Sequence, residues 1–474
     1  MSELRKGSET ELFVEKVVFG GKALAHVDGF VVFMEHAVPG QKVRARILRK
    51  KRQYAEAQVL EVLAQSSEYA EPFCPHFGTC GGCQWQDIPY EAQLRWKREH
   101  VLDALVHLAG IEETAVNAVI PSPEVLYYRN KMEFTFSNRR WLLPEEIASR
   151  ETQYDKTCAL GLHVRGYFDK IFNMEACFLE SPQSVDILRE VRDWCRKSAF
   201  SPYSIKEQDG FWRFLVIREG KRTNQTLLHL LTTDRPAGRE EVDALSAYLL
   251  ERFPRITTIV HSVTDKKAQV AMGESSRVVS GPGYIEERLG KALFRISAHS
   301  FFQTNPSAVE GLYEKVRQMG GFTGSEIVWD LYCGTGSIAI SIASDVRRVT
   351  GIEVVEEAVR DAVENCRLNG IDNCRFLAGD LKDVIRKIAG DGNAGETPDV
   401  VVTDPPRAGM HPDVVKTLLE TAPKRILYVS CNPATLARDL GLLSERYRVC
   451  EVQPFDLFPH TSHIETVARL DRRQ

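Results

Sequence analysis

Cys431 closes the apolar run Leu427-Tyr428-Val429-Ser430 and is followed by Asn432-Pro433 and the helical pattern ATLARDL. A thiol at such a junction lies at a strand end and beside a helix N-terminus, a setting that favours the thiolate. A nucleophile of this kind adds to an electron-poor centre, and a base must later remove a proton so that it can leave. Glu465 is the candidate base. It lies in FPHTSHIETV, near the start of a last strand expected over His463–Leu470, where alternation puts His463 and Glu465 on one face. Taken singly, a structural cysteine and an edge-strand glutamate are the better readings. Both at one sheet edge, beside a cofactor site, read as a nucleophile and its general base.

The cofactor site is read from Asp330-Leu331-Tyr332-Cys333-Gly334-Thr335-Gly336. Gly334 and Gly336 let the backbone turn sharply and approach a ligand at a helix start. Glu353 ends the next strand, 19 residues after Gly334, where an acid hydrogen-bonds ribose hydroxyls. Ala339 breaks the G-x-G-x-x-G pattern of nicotinamide dinucleotide sites. The D-x-x-x-G-x-G frame instead resembles the S-adenosylmethionine (SAM) methyltransferases of the Rossmann-like class, in which the last strand runs antiparallel. That topology brings the start of the last strand, with Glu465, to the edge that holds Cys431. Asp404-Pro405-Pro406-Arg407 ends a further strand, and its prolines make a rigid, extended segment at the ligand-binding edge. Such tetrads are typical of methyltransferases acting on planar nitrogen or base targets. Arg407 stands where adenine-N6 enzymes carry a stacking aromatic, which argues for a different chemistry.

A third group is Cys74-x5-Cys80-x2-Cys83. It supplies three soft ligands and needs a fourth; zinc and iron–sulfur are both chemically open. The 11 cysteines are odd in number and too sparse for a disulfide scaffold.

The elements that must position these groups fall into three patterns. Residues 1–64 are short strands broken by Gly20-Gly21, Asp28-Gly29 and Pro39-Gly40, which suggests a small OB-type β-barrel. They carry 11 Lys/Arg against 8 Asp/Glu, and seven of the cations lie in QKVRARILRKKRQ, Gln41–Gln53. This predicts a phosphate-contacting face; a solvated edge guarded by lysines is the plainer reading. Residues 90–109 have helical spacing, with Leu94, Val101, Leu105 and Leu108 near one face. Residues 125–292 are strand-rich. From about Leu293, strands expected over Glu326–Tyr332, Val349–Glu353, Cys374–Leu377, Val400–Thr403 and Ile426–Ser430 alternate with helices, the signature of a doubly wound parallel sheet. Ala389–Pro398 reads as a local glycine-rich loop.

Hydrophobic residues at 43% and a net charge of −4 place the chain among globular proteins, not disordered, collagenous or coiled-coil ones. No run approaches the ~20 apolar residues of a membrane helix. The first residues, MSELRKGSETELF, have no apolar signal core. A cytoplasmic protein with no membrane partner is expected.

LYVSCNPATLARDL, FPHTSHIETV, FFQTN and DPPRAG together resemble the RumA/TrmA family of RNA 5-methyluridine methyltransferases, over nearly the whole chain. The resemblance implies Cys431 as nucleophile and Glu465 as base. It implies SAM contacts from Gln303, Tyr332, Glu353 and Asp404, with Asp380 facing the adenine; position 332, often Phe in the family, keeps its ring as Tyr. It further implies that Cys74, Cys80, Cys83 and a distant cysteine, Cys177 in NMEACFLESP, hold a [4Fe–4S] cluster, as in the rRNA-directed RumA-like branch. Cys158, Cys195, Cys333, Cys366, Cys374 and Cys450 read as structural thiols. Tyr128-Arg129-Asn130-Lys131 resembles a family motif, and an ion-paired hairpin explains it equally well. The implied architecture is multidomain α/β. A TRAM-like RNA-binding barrel spans 1–65, and a central iron–sulfur domain spans 66–89 and 125–292. A Rossmann-like SAM methyltransferase domain spans 90–124 and 293–474. The expected function is methyl transfer to C5 of a uridine in 23S rRNA by a monomer. The alternatives are the same chemistry on tRNA, and an iron–sulfur RNA-folding factor with a vestigial methyltransferase domain, against which the Cys431/Glu465 pair argues.

Overall fold

A computed structural model describes residues 4–112, 115–149, 154–390 and 397–474. At the front, six strands (Glu9–Phe13, Lys16–Val17, Ala23–Val27, Phe30–Glu35, Lys42–Lys50 and Tyr54–Ala64) form one sheet. In Lys42–Lys50, Val43, Ala45 and Ile47 point into the barrel core and Lys42, Arg44 and Arg46 point out. The outward cations are not free. Lys42 pairs with Glu11 at 2.6 Å, Arg44 with Glu61 at 2.6 Å, Arg46 with Glu9 at 2.8 Å and Arg49 with Glu56 at 3.1 Å. Acids of neighbouring strands thus neutralise most of the basic run. Lys50 lies over the Phe30 ring, and Lys51 and Arg52 have no ion pair among the described residues, which narrows the expected phosphate-contacting face to that end.

The strand-rich centre is a six-stranded sheet ordered Ser275–Ser280, Ile256–Val263, Gln225–Thr232, Trp212–Gly220, Lys131–Ser137, Ala159–Gly161. Gln225–Thr232 and Ile256–Val263 are parallel, joined by the Gly238–Arg252 helix. That helix and Pro182–Lys197 pack in the same core as the sheet.

The last part is a seven-stranded sheet. Its strands are β1 (Ile327–Leu331), β2 (Arg348–Glu353), β3 (Cys374–Ala378), β4 (Val400–Thr403), β5 (Arg425–Ser430), β6 (Tyr447–Phe455) and β7 (Glu465–Arg472). Their order is 3-2-1-4-5-7-6, parallel except for β7, which runs antiparallel to both β5 and β6. Alternation sends Val328, Val402, Val429 and Val467 to one apolar layer and Trp329, Val401, Tyr428 and Ala468 to the other. Strand β6 had no counterpart in the sequence reading. The glycine-rich loop begins later than expected: Ala389 and Gly390 close the Leu381–Gly390 helix, and residues 391–396 lie outside the described residues. No helix among the described residues is long and apolar enough to cross a membrane.

The Tyr90–Ala109 helix departs from its expected face. Val101, Leu102 and Leu105 join the core of the seven-stranded sheet, but Leu108 is 64% exposed. Gln93, Lys97 and His100 are buried instead, because each meets a polar partner from another part of the chain. His100 Nε2 is bonded to the Val17 carbonyl of the barrel at 3.0 Å, and Lys16 pairs with Asp103 at 2.7 Å.

Candidate active site

Strand β1 runs into Tyr332, Gly334 and Gly336, all with positive φ (62°, 52° and 78°). A Cβ on Gly336 would lie 2.9 Å from the Phe376 ring, so only glycine fits there without displacement; one on Gly334 would meet nothing within 4 Å. The backbone at Gly334 is therefore open to a ligand. Glu353, ending β2, accepts a hydrogen bond from Gly334 N at 3.1 Å, and its other oxygen accepts from Val354 N and Val355 N. Glu353 thus stands at the glycine loop, where its spacing placed it, and also pins that loop. Asp380 follows β3, is exposed, and pairs with Lys382 at 3.2 Å. Asp404 follows β4, and its N–H bonds to the Leu331 carbonyl at 3.2 Å. Gln303 reaches the same region from outside the sheet: Asn130 Nδ2 donates to its carbonyl at 3.0 Å, and Asn130 N donates to Thr304 O at 2.9 Å.

Ser430, the last residue of β5, is the register partner of Thr466 in β7. Cys431 and Glu465, the next residues outward on antiparallel neighbours, therefore meet at the carboxyl edge beside Asp404. Arg407 is the cation of this group. Its carbonyl is fastened by Asn432 Nδ2 at 3.0 Å and Thr435 Oγ1 at 3.3 Å, and Asn432 caps the Pro433–Leu443 helix by accepting from Ala434 N. The expected last strand starts two residues late. His463 lies in the turn before β7, so its place comes not from alternation but from Arg407 Nη2, 3.4 Å from its Nδ1.

The electrostatics correct one expectation. Burial pushes the Cys431 thiol up to about 11, Glu465 and Asp404 add to the rise, and Arg407 only partly opposes them. Cys431 rests as a thiol, not a thiolate, chiefly because it is buried and secondly because Glu465 and Asp404 stand beside it. Burial also raises Glu465 well above the usual carboxylate range, helped by Asp404 and opposed by Arg407. Asp404 is pushed up to about 6 by burial. Asp330, fully enclosed under the glycine loop with Ala339 N on one oxygen, is raised to about 8 by burial and by Asp404.

The loop between β6 and β7 is held from the front half of the chain. Lys97 Nζ donates to Asp456 Oδ1 at 2.6 Å and to Phe458 O at 3.0 Å. Tyr128 OH donates to Pro459 O at 3.1 Å. Gln93 Oε1 accepts from His460 N at 2.8 Å, and His460 O accepts from Gln84 N and Trp85 N. Gln84 Oε1 accepts from Ser462 N at 3.0 Å and Ser462 Oγ at 2.7 Å. His460 is held at φ 64° by these bonds. The only available signal was polar Gln93 and Lys97 one turn apart on a helix otherwise built for burial. At Tyr128–Lys131, Lys131 pairs with Glu133 of its own strand at 2.5 Å rather than across a hairpin, while Tyr128 and Asn130 join two distant loops.

Gln84 and Trp85 directly follow Cys83. Cys74, Cys80, Cys83 and Cys177 line one cavity of about 480 Å³, with Arg129 and Lys131 in its wall. Gly82 N donates to Cys80 Sγ at 3.3 Å. Burial pushes Cys80 and Cys83 up to about 12 and Cys177 up to about 11, and raises Cys74. Among the described residues no group of three or more His, Cys, Asp or Glu is arranged to hold a metal ion. Cys158 and Cys195 lie buried elsewhere in the central core.

Comparison with known proteins gives the same picture. Residues 266–473 match the family profile described as tRNA (uracil-5-)-methyltransferase, and residues 3–60 match the TRAM domain. Proteins described as uncharacterized RNA methyltransferases are 43% identical in Chlorobaculum tepidum (92% of this chain, 90% of the relative) and 42% identical in Porphyromonas gingivalis (95% and 97%). The crystal structure of the Pyrococcus abyssi tRNA (uracil-54, C5)-methyltransferase with S-adenosyl-L-homocysteine superposes with a TM-score of 0.73 at 27% identity, covering 97% of this chain and 100% of that one. By these matches, with a TRAM domain in front, the chain belongs to the TrmA/RumA family of SAM-dependent RNA uracil-C5 methyltransferases.

Proposed function

We propose that this methyltransferase modifies a uridine of 23S rRNA, the large-subunit RNA, through a covalent bond between Cys431 and C6 of the base. The observation that carries the covalent reading is the Ser430–Thr466 register, which sets a thiol and a carboxyl group on neighbouring strands at the cofactor edge. C5 of uracil is too weak a nucleophile to take a methyl group unaided. Cys431 Sγ gives its proton to water, which returns one when the thiolate is later expelled, and adds to C6; the C5=C6 pair moves toward C5 and O4, giving an enolate. SAM, when bound, supplies the methyl group, and attack by C5 on the methyl carbon leaves S-adenosylhomocysteine. Glu465, as the carboxylate, then takes the C5 proton; the pair returns to C5=C6 and expels the Cys431 thiolate. One proton is released per methyl transferred. Arg407 favours the anionic forms of both groups. Glu353 and the open Gly334 backbone suit the ribose side of SAM, and Tyr332, Gly336, Asp404, Gln303 and Asp380 surround that position.

The four cysteines fit a [4Fe–4S] cluster better than a single ion. They line one cavity without approaching as a single-ion group, one sulfur accepts an amide, and two cations balance anionic sulfur. Uracil methylation needs no electron transfer, so the cluster's role is to order the Cys74–Gln86 segment that grips the catalytic loop. A TRAM module together with four such cysteines supports rRNA as the target. The likeness to the Pyrococcus tRNA enzyme supports a second reading, tRNA. Transfer of labelled methyl to separated rRNA and tRNA, followed by nucleoside mapping, decides between them: label in 5-methyluridine of rRNA is expected, and label confined to tRNA would reject the first reading.

A further inference from the structure

We propose that His463 is a third catalytic residue, whose Nε2–H donates to O4 of the target uracil while Cys431 adds at C6. The inference rests on the covalent reading above. Arg407 lies 3.4 Å from His463 Nδ1, and a guanidinium can only donate. Nδ1 must therefore be the acceptor, which leaves the ring proton on Nε2. Burial, followed by the charges of Arg407, Lys97 and Arg129, pushes His463 down to about 4, so the ring is neutral. His463 N is tied to Thr461 Oγ1 at 3.2 Å, and Phe458 lies edge-on to the ring, with 5.9 Å between ring centroids. Arg407 and Phe458 thus orient the ring, and Thr461 fixes the backbone that carries it.

Its Nε2 has no protein partner among the described residues, although the side chain is only half-buried in the mouth of the site. His460 differs: its ring is buried, with Gln93 Nε2 3.3 Å from Nδ1. His463 also shares its arginine with the reacting groups, because the Arg407 charge acts on Cys431 and Glu465 as well. In the proposed complex this donor meets O4, the atom that gains most charge. As the S–C6 bond forms, electrons from C5=C6 spread through C4 onto O4. Methyl attack returns them to C5, and the hydrogen bond weakens again. A neutral imidazole suits this role, since it stabilises the enolate without protonating it. A fixed N–H also favours uracil, which accepts at position 4, over cytosine, which donates there.

The test uses the full-length protein and RNA carrying 5-fluorouridine, whose adduct with Cys431 cannot eliminate. The rate of denaturant-stable adduct formation is measured under single turnover for wild type, H463L and H463Q. Glutamine places an amide N–H where Nε2–H stood; leucine places none. H463L should lose roughly 10²- to 10³-fold in adduct rate, the usual cost of one oxyanion donor, with affinities for SAM and RNA unchanged. H463Q should recover to within about tenfold of wild type. An H463L adduct rate equal to wild type, or equal impairment of H463Q and H463L, overturns the proposal while leaving the covalent reading intact. A wild-type enzyme that methylates uridine but forms no adduct overturns the covalent reading, and this inference with it.

Discussion

Replacing Lys97 by methionine tests how the front of the chain controls the catalytic loop. Lys97 and Asp456 are both fully buried, 2.6 Å apart, and Lys97 also holds the Phe458 carbonyl. Methionine keeps most of the volume and removes the charge, leaving the Asp456 carboxylate buried without its cation. Breaking a buried pair in this way costs about 3–5 kcal/mol, whereas replacing both partners by apolar groups is often neutral or stabilising. The loss falls on the segment 456–463, whose amides at Phe458, His460 and Ser462 bond to Asp456, Gln93 and Gln84. Local opening there should become about 10²- to 10⁴-fold more frequent, since each 1.4 kcal/mol is a factor of ten. Hydrogen exchange of the 456–464 peptide reads this directly, and single-turnover methylation should slow in parallel while SAM affinity holds. The double variant K97M/D456L should recover most of the protection. Two results would refute the reasoning: K97M exchange within about fivefold of wild type, which is under ~1 kcal/mol, or a double variant as unprotected as the single, which would mean that shape rather than charge holds the loop.

C431A should abolish both methylation and the 5-fluorouridine adduct and leave SAM binding near wild type, as read by calorimetry, because the candidate SAM contacts lie on other strands. E465Q should still accept the methyl group but stall at elimination. The expected sign is a denaturant-stable protein–RNA adduct carrying label from SAM, with turnover down at least ~10²-fold; normal turnover would show that another group is the base. Protein purified without oxygen should be brown with about four irons per chain. C177S should lose iron and colour and C195S keep both, whereas colourless protein with one zinc would reject the cluster. The wild-type adduct rate should climb with pH from 6 to 9: Cys431 reacts as thiolate, and its raised value of about 11 keeps it protonated over that range. A flat profile would show that substrate binding lowers the thiol below this window.

The seven-stranded half was legible because its evidence is local. Alternating strand and helix periods, two glycines, an acid at the next strand end and a Cys-Asn-Pro junction are each visible within ten residues. Topology then brought Cys431 and Glu465 to one edge. What could not be read depends on partners hundreds of residues away. The Tyr90–Ala109 helix hides lysine, glutamine and histidine because Asp456, His460 and Val17 receive them. The basic strand loses much of its charge to Glu9, Glu11, Glu56 and Glu61, acids outside its own run. The expectation of a Cys431 thiolate weighed the helix end and missed the burial of the thiol and two carboxyl groups that arrive from other strands.

The grip of residues 84–97 on residues 456–463 also dictates the order of folding. Lys97 and Asp456 are 359 positions apart, so the emerging chain carries the lysine, three of the cavity cysteines and the polar side of the Tyr90–Ala109 helix without their partners for most of synthesis. At about 5–20 residues per second that wait lasts tens of seconds. The front barrel can close on its own short-range pairings well before then. The catalytic loop and the helix that braces it cannot. Pairing between segments so distant in sequence is slow and exposes surface meanwhile. A ribosome-bound chain stopped before β7 would therefore have a formed TRAM barrel and an unfinished methyltransferase sheet, so the front module is complete well before the catalytic edge.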